Sequence, residues 1–431
     1  MSSVTRPTRR RFLRDAACTL GLFHIVPRHV LGGPRHTAPS EVITRAVIGC
    51  GGMGLSSHVT TNAEDAPPVT LAVCDVDQRH LAAAMKKAGR GCDAYTDWRR
   101  ILERRDIDTI HIATPPHWHA VMGIAAVQAG FDVTAEKPFT RTIAEGRRYA
   151  DAVRRHGRIV QVNTWFRFER YYRYGATSLL RKLVHSGLLG RPLTVRLSAA
   201  QGFDWKLAMW SGRSGLTPEP VPAELDYDMW LGPAPRAFYH PHRVHQSFRG
   251  YWDYDGGGLG DMGQHYLDPI QYILGKDHTS PVEAWANAPW PQDPSAAGLW
   301  GTIGLRYADG DTILMNSGEW GASWDENTPL IEGPGGRVFD NYRTDPPGLF
   351  DRVRPLPDPP PLVRWEPALR SRVQPGNNAD VAHRSCTLVN LAKIAVRLGR
   401  PLRFDPRVER FINDDVANAL VEEPTRAPWR V

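Results

Sequence analysis

Residues 45–59, RAVIGCGGMGLSSHV, constrain this chain more than any other stretch. Ala46-Val47-Ile48 form a short apolar strand that runs directly into Gly49-x-Gly51-x-x-Gly54. Glycine at these places allows a tight turn, close approach of a pyrophosphate and close packing of the helix that follows. The start of that helix aims unpaired N–H groups at phosphate. Alone the motif is weak, but a second apolar run, VTLAVCDVD (69–77), ends in Asp75, 21 residues beyond Gly54. A carboxylate there can accept hydrogen bonds from the adenine-side ribose, and it repels a 2′-phosphate, which favours NAD over NADP. Capping a turn is the simpler alternative for Asp75.

The alternation continues. DWRRILERRDI (97–107), HAVMGIAAVQAG (119–130) and IAEGRRYADAVRRHG (143–157) read as helices, while DTIHIAT (108–114), FDVTAEKP (131–138) and RIVQVNT (158–164) read as buried strands. Strands separated by amphipathic helices predict a Rossmann-type, doubly wound parallel sheet over residues 41–165. Ligands of such sheets bind beyond the carboxyl ends of the strands. Asp75, Thr114, Glu136, Lys137 and Asn163 all stand at such ends. Lys137 is one of only seven lysines in the chain, though spacing alone leaves a surface lysine and a functional one equally open. The Lys137–Pro138 bond is a reasonable place for a cis peptide.

After residue 165 the pattern changes to an α+β one. A helix from about 171 to 186 precedes strand-like runs at 192–201, 282–288, 300–308, 311–319 and 329–342, which predict an open, mainly antiparallel sheet in a domain spanning 166–431. Proline-rich residues 345–376 form an irregular surface excursion, and a last helix over 379–398 closes at Gly399. Between the runs lies YWDYDGGGLGDMGQHYLDPIQYIL, in which Asp261 and His265 are four apart. On a helix this spacing projects both side chains from one face. A histidine and a carboxylate held together suit general-base work. Metal binding is not expected: one His and one acid face together here, and His117-x-His119 reads as a loop pair at a strand end.

Charge and cysteines narrow the function. The formal charge is +7, but residues 1–40 hold seven arginines against one acid, so the remainder is close to neutral and nucleic-acid binding is unsupported. No stretch approaches the roughly 18 apolar residues of a membrane span. Five scattered cysteines without a CxxC pair indicate neither a disulfide framework nor a zinc site. Thr8-Arg9-Arg10-Arg11-Phe12-Leu13-Arg14, followed by a modest apolar run from Ala16 to Val26, is similar to a twin-arginine export signal, which makes residues 1–40 leader and linker. Export to the periplasm, or another site reached by that route, is the expectation; a cytoplasmic protein follows if the leader does not function.

Taken together, GCGGMG, CDVD, ATPPHWHA, AEKPFT, WLGPAP, GGLGDMGQHYLD, AHRSCTLVNLAKIAVRLGRPLRFD and the terminal RAPW resemble the Gfo/Idh/MocA oxidoreductases. The resemblance covers residues from about 41 to 431. It implies a nucleotide-binding domain with a second, open-sheet domain that forms a homodimer or homotetramer. By that resemblance Lys137, Asp261 and His265 are catalytic: His265 takes a hydroxyl proton, Lys137 polarises the oxygen, and Asp261 holds His265 or a neighbouring hydroxyl. The cofactor-facing set is Gly49, Gly51, Gly52, Met53, Gly54, Asp75, Thr114, Pro115, His117, His119, Glu136, Lys137 and Asn163. Trp165, Arg167 and Tyr251 are candidates on the substrate side. Two departures from the family pattern stand out: Pro116 in place of an acid, and NTWFRFER (163–170) in place of a Gln/Arg-rich stretch. The implied activity is NAD-dependent oxidation of a sugar, cyclitol or glycoside hydroxyl, with a tightly bound cofactor recycled in each turnover. The alternative is a redox-neutral NAD-dependent glycoside hydrolase or lyase working through a transient keto intermediate. A non-catalytic binder is disfavoured because Lys137, Asp261 and His265 occur together.

Overall fold

The computed structural model describes residues 41–60, 68–168, 177–198, 206–317, 324, 327–339 and 341–430. The arginine-rich leader motif at 8–14 lies outside them. Six strands build the first sheet: β1 (Thr44–Ile48), β2 (Val69–Cys74), β3 (Asp93–Tyr95), β4 (Thr109–Ile112), β5 (Asp132–Ala135) and β6 (Val160–Val162). They lie in the order β3-β2-β1-β4-β5-β6, and every pairing is parallel. All four residues of β4 are buried, as a strand covered by helices on both faces requires. The order reverses direction between β1 and β4, which opens a crevice at the carboxyl ends of the strands.

The crossover helices are α1 (Gln78–Ala88), α2 (His119–Gln128) and α3 (Ile143–His156). A reciprocal capping box of Thr142 and Glu145 starts α3, and Gly157 ends it in the left-handed region at φ 60°. The expected helix over 97–107 is instead a single 3₁₀ stretch, Trp98–Glu103. Its buried residues, Trp98 and Ile101, are three apart, the repeat that stacks on a 3₁₀ helix.

Nine strands form the second sheet: β7 (Thr194–Ser198), β8 (Glu283–Asn287), β9 (Thr302–Arg306), β10 (Thr312–Asn316), β11 (Ile331–Gly333), β12 (Gly336–Val338), β13 (Thr344–Asp345), β14 (Leu402–Asp405) and β15 (Arg410–Phe411). The order is β13-β12-β11-β7-β10-β9-β8-β14-β15, antiparallel except where β7 meets β10. The run at 329–342 is therefore a hairpin, β11–β12, rather than one strand. Gly333 is forced by close approach at this turn, since a Cβ there would stand 2.2 Å from Leu189 O.

Three helices pack against this sheet, α4 (Thr177–His185), α5 (Gln264–Leu274) and α6 (Ala379–Leu398), and the last two also reach the first domain. Asn378 caps α6 by accepting from the N–H groups of Asp380 and Val381, and Gly399 closes it at φ 61°. Ala379, Ala382 and Cys386 of α6 sit in the core beneath the parallel sheet, while Leu388, Leu391 and Val396 sit in the core of the second sheet. One helix thus fixes the two halves against each other. The proline-rich excursion is not wholly irregular, because it carries the short helices Leu349–Val353 and Trp365–Ser371.

Candidate active site in the crevice between the sheets

The glycine turn follows β1 as its sequence requires. Gly49 has φ 89°, and a Cβ on it would meet the Ala113 backbone at 2.7 Å. A Cβ on Gly54 would stand 1.8 Å from Gly49 O, so these two glycines are demanded by the turn itself. Gly52 differs: nothing lies within 4 Å of its Cβ position, and both it and Met53 are exposed. The outer face of the turn is therefore open to a phosphate. Gly54–His58 is a π-helical turn rather than the start of a regular α-helix.

Asp75 stands beside the turn at the end of β2. Its Oδ2 accepts from Cys50 N–H at 2.7 Å, and its Oδ1 accepts from Asp77 N–H at 2.9 Å. His80 Nδ1 is 3.6 Å from Oδ2, and this carboxylate raises the His80 pKa. Each carboxylate oxygen still has a lone pair for a ribose hydroxyl. An open glycine turn with an anchored carboxylate beside it fits the pyrophosphate and ribose of a dinucleotide. Gly49, Gly51, Gly52, Met53, Gly54 and Asp75 would hold that half. Thr114 and Pro115, both half-buried, form the opposite wall after β4.

Across the crevice, β5 delivers Glu136, Lys137 and a cis Pro138. The Lys137 ammonium donates to Asp261 O at 2.7 Å and to Asp261 Oδ1 at 3.0 Å. Asp261 is 1% exposed and also receives Arg249 Nε at 3.0 Å, Lys206 Nζ at 3.1 Å and Trp210 Nε1 at 3.0 Å. Burial alone would raise the Asp261 carboxyl, but Arg249, Lys137 and Lys206 beside it hold it well below the usual carboxylate range. Asp261 therefore locks Lys137 and does not hold His265, contrary to the expected pairing. Asp261 lies in the π-helical turn Leu259–Gly263, and its carboxylate is taken up by Lys137, Lys206, Arg249 and Trp210 instead.

His265 lies one residue into α5, against Phe166 with ring centroids 4.9 Å apart. Its Nδ1 has no hydrogen-bond partner among the described residues. Burial, reinforced by the Lys137 charge, pushes its pKa down to about 3, so the imidazole is neutral and able to accept a proton. Gln264 braces this corner: its Oε1 accepts from Phe139 N–H at 2.8 Å, and its amide donates to Ala382 O and Ser385 Oγ on α6. The turn bearing Lys137 and the helix bearing His265 are thereby held in register.

Glu136 is buried and accepts from Asn163 Nδ2 at 3.0 Å, with His58 Nε2 also 3.0 Å away. Burial opposes ionisation of Glu136, but His58 and Lys137 more than offset it and bring the carboxyl to about 2. His58 stacks face to face on His111 at 3.5 Å. His58, His111 and Glu136 bring ligand-type atoms within 4.8 Å of one another. His58 Nε2 and Glu136 Oε1 face each other at 3.0 Å and His111 Nδ1 faces Thr134 Oγ1 at 2.6 Å, while His111 Nε2 is buried without a hydrogen-bond partner among the described residues.

Several expected site residues are placed elsewhere. Arg167 is buried in an ion pair with Asp268 at 3.2 Å and Asp277, over the Tyr272 ring, so its guanidinium is committed to holding α5 rather than a substrate. Tyr251 is fully buried, with its hydroxyl 2.8 Å from His242 Nδ1. His117 and His119 are buried as well. His117 Nε2 faces Trp230 O at 3.0 Å, while the His119 nitrogens face Pro138 O at 2.7 Å and Thr114 O at 2.8 Å. They shape the loop after β4 instead of lining the crevice. Trp165 is half-buried at the end of β6. Sequence reasoning missed Lys206, Trp210, Arg249 and Phe166. The scarcity of lysine that marked Lys137 applied equally to Lys206, whereas Arg249 is one of 46 arginines and carries no such signal.

Comparison with known proteins agrees with this architecture. Residues 43–164 match the model of an oxidoreductase family's NAD-binding Rossmann fold, and residues 175–431 match that family's C-terminal alpha/beta domain. The levoglucosan dehydrogenase of Pseudarthrobacter phenanthrenivorans is 29% identical over 231 residues, which are 54% of this chain and 48% of that protein. Inositol 2-dehydrogenase 4 of Saccharopolyspora erythraea is 30% identical over 194 residues, 43% of this chain and 52% of that protein. The matched regions thus span about half the length of these relatives. The WlbA dehydrogenase from Bordetella pertussis, solved in complex with NADH and UDP-GlcNAcA, shares the fold at a TM-score of 0.56 and 19% identity, covering 84% of this chain and 99% of that one.

Proposed function

The chain belongs to the Gfo/Idh/MocA family of oxidoreductases, and from that premise we propose that it oxidises a secondary hydroxyl of a sugar, cyclitol or glycoside with bound NAD. The observation that carries this reading is the neutral His265 imidazole, its Nδ1 without a hydrogen-bond partner among the described residues, beside a Lys137 ammonium locked by Asp261 at the carboxyl edge of the dinucleotide sheet. Bound NAD+ supplies the acceptor for the hydride that leaves the carbinol carbon. His265 takes the hydroxyl proton, and Lys137 stabilises the negative charge that grows on the oxygen. Asp261, with Trp210 and the cations Lys206 and Arg249, holds Lys137 in place. Trp165 borders the substrate side. Asp75 favours NAD over NADP because its anchored carboxylate repels a 2′-phosphate. Levoglucosan and inositol, the compounds in the relatives' names, are the first candidates.

The assay is absorbance of reduced nicotinamide after adding candidate sugars to purified protein, with His265→Ala as control. Net oxidation of the sugar supports a dehydrogenase. Cleavage with unchanged redox state moves the reading to the redox-neutral hydrolase or lyase. Turnover that persists in His265→Ala removes His265 as the base.

Export by the twin-arginine route is part of the same proposal. It rests on TRRRFLR at 8–14 and on the positive charge concentrated in residues 1–40. That route carries folded proteins, so the cofactor is loaded before export and must then be restored within each cycle. Replacing Arg9 and Arg10 by lysine should retain the protein in the cytoplasmic fraction; unchanged distribution refutes the signal. Association into a homodimer or homotetramer through the half-exposed face of the second sheet is also proposed, and light scattering of the purified protein tests it.

A further inference from the structure

Residues 212–254 leave the second domain and form a small core of their own: Leu225, Trp230, Tyr239, Phe248, Tyr251 and Tyr254 pack together, with Val76 of the first domain against them. Val76 directly follows Asp75. The excursion is also stitched to the same loop through backbone bonds. Gln78 N–H donates to Glu224 O at 3.0 Å, and Asp226 N–H donates to Val76 O at 3.0 Å. Arg79 pairs with Glu224 at 3.2 Å. His245 Nε2 lies 3.3 Å from Asp77 Oδ2, and its ring meets that of His80 edge-on at 4.9 Å.

A second line of attachment runs to the loop after β4. Trp230 O accepts from Trp118 Nε1 at 3.1 Å and lies 3.0 Å from His117 Nε2. Gly232, at φ 48°, lies so close to the Trp118 ring that a Cβ would be 2.0 Å from it. The excursion is itself held from behind by Arg426, which donates to Gly232 O at 2.8 Å and Asp228 O at 2.7 Å. β2 and β4 flank β1. The two lines of attachment therefore stand on either side of the glycine turn, and the Asp75 side chain between them is only 10% exposed.

His245 carries a further sign. It is a non-glycine residue at φ 54°, a conformation that costs energy and persists where the surroundings over-determine it. Here those surroundings are Asp77 and His80, the neighbours of Asp75. Four residues on, Arg249 reaches Asp261. One segment thus touches both the ribose end and the reactive end of the crevice.

We propose that residues 212–254 form a strap across the adenosine half of the dinucleotide crevice that makes the cofactor a resident of the protein. The proposal rests on the dinucleotide reading of the crevice given above. Release requires the strap to part from the β2 and β4 loops, so exchange is slow compared with an open sheet. Hydride taken from one carbinol, whose proton goes to His265, must then leave to the carbonyl carbon of a second carbohydrate, which takes up a proton at its oxygen. One substrate loses two electrons and two hydrogens, and the other gains them.

The experiment is exchange of bound cofactor. Full-length protein, desalted exhaustively, is mixed with isotopically labelled NAD, and the label in the protein fraction is followed by mass spectrometry. Two variants loosen the strap without touching the glycine turn: His245→Gly, which accepts the left-handed backbone without strain, and Arg79→Ala with Glu224→Ala, which cut a partly exposed pair. The expected result is unlabelled NAD retained by wild type, with exchange faster by roughly two- to fivefold in each variant at unchanged thermal stability. Rapid exchange in wild type, equal to that of both variants, overturns the strap while leaving the crevice an NAD site. No NAD bound before or after mixing overturns the dinucleotide reading and the strap with it.

Discussion

Asp261 shows how much depends on one buried side chain. Three cations and an indole N–H converge on it at 1% exposure. Asp261→Asn leaves Lys137, Lys206 and Arg249 facing an amide of the same size. Breaking a buried ion pair from one side typically costs about 3–5 kcal/mol. The expected outcome is a clear fall in stability by urea unfolding, together with loss of turnover because Lys137 is no longer held. A variant as stable and active as wild type contradicts this role. The positions of Lys137, at a strand end, and of His265, on a helix, were legible from sequence, while their proposed roles came from the family resemblance. Their actual relation to Asp261 was not legible, because the groups that gather on its carboxylate, Lys137, Lys206, Trp210 and Arg249, come from distant segments of the chain. Arg167 misled for the opposite reason: a charged residue near a strand end looked like a ligand contact, but its two acids, Asp268 and Asp277, lie about 100 residues away in the chain.

The elements were legible where local chemistry decides them. The closing Gly399 marked the end of α6, and buried apolar runs predicted the parallel strands. The 3₁₀ stretch Trp98–Glu103 and the β11–β12 hairpin were not legible, since each depends on what packs beside it. The glycine turn permits a direct test of element against ligand. Gly54→Ala places a Cβ 1.8 Å from Gly49 O, whereas Gly52→Ala places one in open space. Gly54→Ala should lower thermal stability and NAD binding together. Gly52→Ala should leave stability unchanged and still weaken NAD binding, with kcat/KM falling on the order of 10²-fold from displacement of the cofactor. Unaltered NAD affinity in Gly52→Ala, measured by calorimetry, contradicts placement of the pyrophosphate at this turn.

For the whole molecule, the buried histidines set the response to acid. His265 and His117 are both held at about 3 by burial, against 6.5 when exposed. Their pKa values are lower in the folded chain, so the unfolded chain takes up protons first. Stability is full above pH 6.5 and declines as pH falls from 6.5 toward 3. Glu136, brought to about 2 from 4.5, adds a further loss below pH 4.5. The melting temperature should therefore fall steadily from pH 7 to pH 4; a flat profile contradicts neutral burial of these rings. The joining of both sheets through α6 and the strap at 212–254 was invisible to motif reading, because both arise from contacts between distant segments. In the proposed reaction this crevice holds NAD and His265 draws a proton from a carbohydrate hydroxyl. Its most direct measurement is the NAD(H) released by rapid denaturation of purified protein before and after candidate sugars are added. The expected result is near-stoichiometric NAD+ that becomes NADH in wild type and stays NAD+ in His265→Ala. Protein that releases no nicotinamide cofactor, and shows no reduction with any sugar even when NAD is supplied, contradicts the claim.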